Sequence, residues 1–365
     1  MKTSWVIVGL VMSLTFTLAC GQEPVESPVD SPEPQEAEIQ EAEMMDSGRI
    51  ERLDPALDAI LGPDAKLETV AEHLGMTEGP LWIDDPSGGY LLFSDIPANA
   101  IYKLSPDTGE VSVFMEEAGY TGDDILNAGA QSMSGRRHVL LIGPNGLTLD
   151  PQGRLLIAAM ADRNIVRIEE DGSRTVLADG YEGKRFDGVN DLTARSTGAV
   201  YFTDTTAGMR YRGDSPSREL SHSGVYMVKD GELTLLEADP AGGSPNGITL
   251  SPDESILYVG SAGKILAYDI QEDDTVANGR VLIETSSDGM KVDEEGNLYT
   301  TSHGGVWIIS PEGKHLGTIH LPEILGVRTT NVGFGDPDRR GLYITARTRL
   351  YRIRTEIPGV LPGPR

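Results

Sequence analysis

The chain has 365 residues, with 43 Gly, 22 Pro, 6% aromatic residues, one cysteine and a formal charge of −27. That charge disfavours nucleic acid and anionic lipid as partners, because phosphates would be repelled. The single cysteine excludes an intrachain disulfide, and the Gly- and Pro-rich, aromatic-poor balance suits short strands and tight turns rather than a helical protein.

The N-terminus reads as an export signal. Lys2 supplies a positive start, Trp5 to Leu18 is a short apolar run, and Ala19 precedes Cys20. The run is too short and wrongly flanked for a membrane span. Thr17-Leu18-Ala19-Cys20 is similar to a bacterial lipoprotein cleavage box, with Thr17 where an aliphatic residue is commoner. An ordinary signal peptide with a chance cysteine is the other reading. The position of Cys20 at the end of the apolar run favours its lipidation. Residues 21 to about 47 are rich in Pro and Glu and contain no aromatic residue, so they bury too little to offset their ordering entropy. The expected organisation is a signal peptide over 1–19, lipidated Cys20 with an acidic tether to 64, a folded body over 65–357 and a tail over 358–365. Such a protein is exported and meets the membrane through its lipid anchor only, on the periplasmic or cell-surface side.

The folded body repeats itself. Pro144-Asn145-Gly146-Leu147, Pro245-Asn246-Gly247-Ile248 and Ser287-Asp288-Gly289-Met290 each open an alternating strand, then a turn, then a second strand. Diverged copies open at Glu78-Gly79-Pro80, Val189-Asn190-Asp191 and Asn331-Val332-Gly333. A third strand follows, as in Gly305-Val306-Trp307-Ile308-Ile309, and a fourth, as in Arg174-Thr175-Val176-Leu177. Four antiparallel strands in roughly 40–55 residues is the period of a propeller blade. Six openings predict an all-β fold, a six-bladed β-propeller of four-stranded antiparallel blades. The last copy is short, and Lys66 to Val70 is expected to supply its outer strand. Two stretches rich in Gly, Ser and charge, Glu116 to Arg137 and Arg210 to Ser223, read as inserted loops that either wall a site or are merely solvated.

The polar residue that opens each repeat carries the chemistry. Asn145, Asn190 and Asp288 each stand eight positions before a turn glycine, Gly153, Gly198 and Gly296. Residues at one repeat offset share one height in a propeller and point at one axis. With Glu78, Asn246 and Asn331 they form a ring at one channel mouth. A single Asn-Gly or Asp-Gly is an ordinary turn dipeptide. Recurrence at one offset, including a glutamate with no turn preference, favours a site. Carboxylates at close range resist joint ionisation unless a cation neutralises them. Every donor is a hard oxygen, which selects Ca²⁺, or another hard divalent cation, over Zn²⁺ or Cu²⁺.

These segments resemble the senescence marker protein/gluconolactonase/luciferin-regenerating enzyme family of six-bladed propellers. The likeness runs from about residue 68 to 355. It is carried by Glu78-Gly79-Pro80-Leu81-Trp82, Phe93-Ser94-Asp95, Gly183-Lys184-Arg185, Val189-Asn190-Asp191-Leu192, Val200-Tyr201-Phe202-Thr203-Asp204, Pro245-Asn246-Gly247-Ile248 and Asp288 to Tyr299. The resemblance implies metal ligation by Glu78, Asn190, Asn246 and Asp288, hydrolysis of a lactone, and a pocket-facing Asn145. Two departures touch the pocket. Asp187-Gly188-Val189 stands where many members carry Asn and Pro, and Thr203-Asp204-Thr205 where many read Thr-Asp-Pro.

On this reading the chain is a metal-dependent hydrolase. A Ca²⁺ ion polarises the carbonyl of a small sugar lactone or ester, and Asp288 is the candidate general base. Arg185 is a candidate contact to a polyhydroxylated or anionic substrate, with a plain surface charge as the alternative. His303 is a candidate substrate-side group or proton shuttle, with a surface histidine as the alternative. No Ser-centred nucleophile elbow, phosphate loop or metalloprotease helix motif occurs in the sequence. A related phosphotriesterase or arylesterase on the same ring, and a non-catalytic surface-binding propeller, stay open at this point.

Overall fold

The structure, a computed structural model, describes residues 48–364 apart from 127, 135–136 and 325–326. The expected signal peptide and Cys20 lie outside the described residues. Alternation of apolar and polar side chains produces strands throughout, joined by turns and short 3-10 segments. Among the described residues no helix is long and apolar enough to cross a membrane.

The fold is an all-β propeller with four-stranded antiparallel blades. One blade is Leu147–Leu149, Leu155–Ala159, Asn164–Ile168 and Arg174–Ala178. The next is Val189–Ala194, Val200–Asp204, Gly224–Lys229 and Glu232–Ala238. It is followed by Pro245–Leu250, Ile256–Ser261, Lys264–Ile270 and Val276–Ile283. Another starts with Met290–Val292, Leu298–Ser302, Gly305–Ile309 and His315–His320. The first strands of successive sheets lie beside one another and surround the channel.

Among the described residues five blade-sized sheets are present rather than the six separate ones expected. The first and last repeats share one six-stranded sheet, because Glu68–Ile83 and Gly341–Arg354 are each long enough to run through both. Glu68 to Glu72 pairs with Arg352 to Arg349, which joins the start of the body to its end, as the short last repeat required. The register then shifts between Glu72 and Thr77, and the strand goes on to pair Thr77 to Ile83 with Asp95 to Tyr90.

Two of the inner hairpins turn in the same way. Asp150 Oδ1 accepts from the N–H groups of Gln152 and Arg154, and Asp293 Oδ1 accepts from those of Glu295 and Asn297. Gly153 and Gly296, at φ +80° and +84°, take the left-handed position that such a turn demands. Apolar faces of neighbouring sheets then pack together. Phe186, Phe202 and Tyr226 fill one gap, while Trp82, Phe93, Tyr343 and Leu350 cluster within the six-stranded sheet. Trp307 is only half-buried and stacks on His315 at 3.8 Å.

Both ends of the described chain are built in. The tether expected through residue 64 is ordered from residue 48 on. Arg49–Arg52 adds a fifth strand beside His315–His320, and the 3-10 segment Pro55–Ala59 follows it. Leu57, Ile60 and Leu61 enter the core with Tyr299, Val306 and Phe334. Residues 48–64 lie beyond the Pro- and Glu-rich stretch, and their apolar side chains bury where a sheet edge offers them a partner. At the other end, Val360 donates to the Val292 carbonyl and Gly359 bridges to Asp293. Replacing fully buried Leu57 by Ala is expected to lower stability by about 2–5 kcal/mol in urea unfolding. An unchanged midpoint would mean that the N-terminal strand is not part of the cooperative unit.

Candidate active site

The six opening residues converge at one end of the channel. Glu78, Asn145, Asn190 and Asn331 are 3%, 4%, 6% and 2% exposed, while Asn246 and Asp288 are partly buried. The backbone that carries them is tied from blade to blade. Ser94 Oγ donates to the Asn145 carbonyl at 2.7 Å, the Gly146 N–H to the Asn190 carbonyl at 2.8 Å, and Thr203 Oγ1 to the Asn246 carbonyl at 2.8 Å. Thr301 Oγ1 donates to the Thr330 carbonyl at 3.0 Å, and Thr330 Oγ1 to the Thr77 carbonyl at 2.7 Å. The glycine after Glu78, Asn145, Asn246 and Asp288 permits this close approach. A Cβ on Gly146 would meet Asp191 Oδ1 at 2.5 Å, and one on Gly289 would meet Asn331 Oδ1 at 2.0 Å.

Side chains link the ring across its members. Asn246 Nδ2 donates to Asp288 Oδ1 at 2.7 Å, and Asn331 Nδ2 donates to Glu78 Oε2 at 3.1 Å. Burial pushes the Glu78 carboxyl well up, and the negative charges of Asp288 and Asp191 push it further. Burial also lifts Asp288, to about 6. The Asn246 hydrogen bond and the charges of Arg328 and Arg347 oppose that rise, while Asp191 adds to it. Asp191 is raised by burial as well, against Lys291, the N–H groups of Leu192 and Ile248, and Asn331.

Asp191, Arg328 and Arg347 were not singled out by the sequence. Strand alternation sends Asp191 away from its neighbour Asn190. The register shifts between Val189 and Leu192, and this bulge brings both consecutive side chains to the channel. The two arginines lie outside the repeat pattern, so no offset could have marked them.

The donor set suits a hard cation. Asn145 Oδ1 and Asn246 Oδ1 are buried with no hydrogen-bond partner among the described residues, each a loss of about 1–3 kcal/mol unless something binds there. They stand beside two carboxylates, with oxygen as the donor throughout. Among the described residues no three His, Cys, Asp or Glu side chains are grouped as a metal site. A cation here would therefore rest on mixed carboxylate and carboxamide oxygens.

Loops build two hollows over this end. The smaller, about 120 Å³, is lined by Asn246, Asp288, Ser302 and Arg328. The larger, about 420 Å³, is lined by Tyr120, Arg163, Arg185, Asp187 and Met209, so both inserted loops contribute walls. Arg185 is exposed at that wall, where its Nη2 donates to the Asp162 carbonyl at 2.8 Å and its backbone N–H to Glu219 at 3.0 Å. His303 is exposed on the turn after Ser302 and lines neither hollow. Asp95 and Asp204 accept backbone N–H groups from the segments entering the ring, Gly75 for the first, Asp187 and Gly188 for the second.

Residues 76–348 match the family described as the SMP-30/Gluconolactonase/LRE-like region. The chain is 34% identical over 330 residues to the gluconolactonase of Zymomonas mobilis subsp. mobilis, covering 86% of this chain and 87% of that protein. A solved gluconolactonase from Xanthomonas campestris superposes with a TM-score of 0.69 at 27% identity, over 85% of this chain and 95% of that one. Regucalcin from Agrobacterium tumefaciens, described as calcium-binding, has a TM-score of 0.60 at 20% identity over 81% of this chain and 96% of its own, a likeness of fold alone.

Gly146→Ala places a methyl group against the Asn190–Asp191 backbone. Overpacking of this kind is expected to cost about 1–3 kcal/mol in denaturant unfolding. Wild-type stability in that variant would show that the two inner strands do not press together there.

Proposed function

The chain belongs to the SMP-30/gluconolactonase/LRE-like family, and from that premise we propose a lactonase whose channel-mouth oxygens hold a divalent cation. The substrate is a small lactone, which water opens to a hydroxy acid. The observation that carries the reading is the convergence of Glu78 and Asp288 with the unpartnered amide oxygens of Asn145 and Asn246.

Glu78, Asn190, Asn246 and Asp288 are the protein's ligands in this proposal. A loose ring of amide and carboxylate oxygens from separate strands favours Ca²⁺ over strictly octahedral Mg²⁺. When bound, the cation supplies Lewis-acid polarisation of the ester carbonyl and charge stabilisation as the tetrahedral oxyanion develops. The chain's own groups do the rest. Asn246 Nδ2 holds Asp288 Oδ1, so the second carboxylate oxygen is left to take a proton from the attacking water. Arg328 and Arg347 favour the ionised form of Asp288 that this transfer needs. Water adds to the carbonyl carbon, the ring C–O bond breaks, and the departing oxygen receives a proton. Asn145, with its free oxygen turned to the same space, orients the substrate.

Two further readings belong with this proposal. The six-stranded sheet is best taken as two blades joined at one edge. That reading is supported by its two separate ring members, Glu78 and Asn331, and makes six blades in all. The apolar run before Cys20 supports export and lipid anchoring.

A ligand that binds the folded state alone raises the melting temperature. Chelation is therefore expected to lower it and added Ca²⁺ to restore it. Identical melts with and without chelator would remove the cation from the proposal. Asp288→Asn is expected to reduce kcat by about 10²- to 10⁴-fold with the fold intact by circular dichroism. Near-wild-type turnover would exclude Asp288 as the base.

A further inference from the structure

The smaller hollow is polar throughout. Each residue that lines its roughly 120 Å³ carries a hydroxyl, carboxamide, carboxyl or guanidinium group. Asp288 is its negative member and Arg328 its positive one. Arg328 is exposed and, among the described residues, makes no hydrogen bond and no ion pair. Its guanidinium is close enough for its charge to act on the Asp288 carboxyl, yet it does not bond to it. The backbone just after it is pinned to the ring. The Thr330 N–H donates to the Thr345 carbonyl at 2.9 Å and Thr330 Oγ1 to the Thr77 carbonyl at 2.7 Å. Ser287, on the same hollow, offers a second donor. Its Oγ accepts from Thr300 Oγ1 at 2.8 Å, which leaves its own proton for another acceptor.

The charges at the ring give this free cation a purpose. Glu78 and Asp288 together match the charge of a divalent cation, and Asp191 adds a third carboxylate within range. The loaded ring therefore keeps no surplus positive charge with which to hold an anion. Lactone opening nevertheless makes one. Water adds to the carbonyl carbon as Asp288 takes its proton, the ring C–O bond breaks, and the departing oxygen receives that proton. The carboxylic acid so formed gives its own proton to solvent. The resulting carboxylate arises beside Asp288, at the edge of the smaller hollow.

We propose that the smaller hollow is an anion subsite, in which Arg328 and the Ser287 hydroxyl hold the carboxylate that ring opening creates. The proposal rests on the lactonase reading above. A guanidinium presents paired N–H donors that match both oxygens of a carboxylate, and its charge offsets repulsion from Asp288. A neutral lactone carries no such group, so Arg328 acts on the product more than on the substrate. A neutral amide in place of the carboxylate keeps the shape of the product but forfeits the charge.

The test measures binding of D-gluconate and of its neutral analogue D-gluconamide to the full chain loaded with Ca²⁺, by titration calorimetry. The wild type is expected to prefer gluconate, and Arg328→Gln to reduce that preference by about 10- to 100-fold. Competitive inhibition of D-glucono-δ-lactone hydrolysis by gluconate should weaken by the same factor, with KM for the neutral lactone changing far less. Circular dichroism checks the fold of the variant, whose altered side chain is exposed. A guanidinium that merely keeps Asp288 ionised would behave differently. Its removal would move the acid limb of the pH–rate profile to higher pH and leave the gluconate-to-gluconamide ratio unchanged, which overturns the proposal. A wild type that binds both compounds equally overturns it as well, whether or not the variant folds. Binding is read without turnover, so failure of the wild type to hydrolyse either D-glucono-δ-lactone or δ-valerolactone is a separate result, and it would strike the lactonase reading instead.

Discussion

Three carboxylates held within range of one another govern this molecule. Glu78, Asp191 and Asp288 come from different repeats; burial works against the ionised form of each, and repulsion from Asp191 adds to it at Glu78 and Asp288. Part of the compensation is internal. Asn246 and Asn331 donate to Asp288 and Glu78, while Lys291, Arg328 and Arg347 supply positive charge from the side. Two amide oxygens in the same ring nonetheless point at nothing. The proposed cation would answer the excess charge and the unpartnered oxygens together, so the proposed chemistry rests on the electrostatics rather than on any single residue.

The architecture exists to hold those groups against their repulsion. Hydroxyls of Ser94, Thr203, Thr301 and Thr330 tie the backbone of neighbouring repeats together at the level of the ring. Glycines next to the opening residues let adjacent strands approach without a clashing Cβ. The sheet shared by Glu68–Ile83 and Gly341–Arg354 unites the two ends of the repeat array, so opening the ring would require breaking a strand pair rather than separating two surfaces. Rigidity of this kind keeps oxygens poised for charge that develops only during reaction.

Above the ring the logic changes from repetition to insertion. The loops that wall the larger hollow come from unequal lengths of chain between strands, and one of them brings Arg218 onto Asp187.

The propeller class, the four-stranded unit and the ring members Glu78, Asn145, Asn190, Asn246, Asp288 and Asn331 were legible in the sequence. The reason is that a repeating hairpin converts a fixed offset along the chain into a fixed direction in space. Whatever broke that repetition was not legible. A bulge turned Asp191 into the channel, long strands merged the first and last repeats into one sheet, and a sheet edge captured Leu57 from a stretch that reads as tether. Arg328 and Arg347 join the site from positions with no shared offset. Local pattern sets where a side chain on a regular strand must point; contacts between distant, irregular segments arise only when the whole chain has closed on itself, and those belong to the tertiary structure alone.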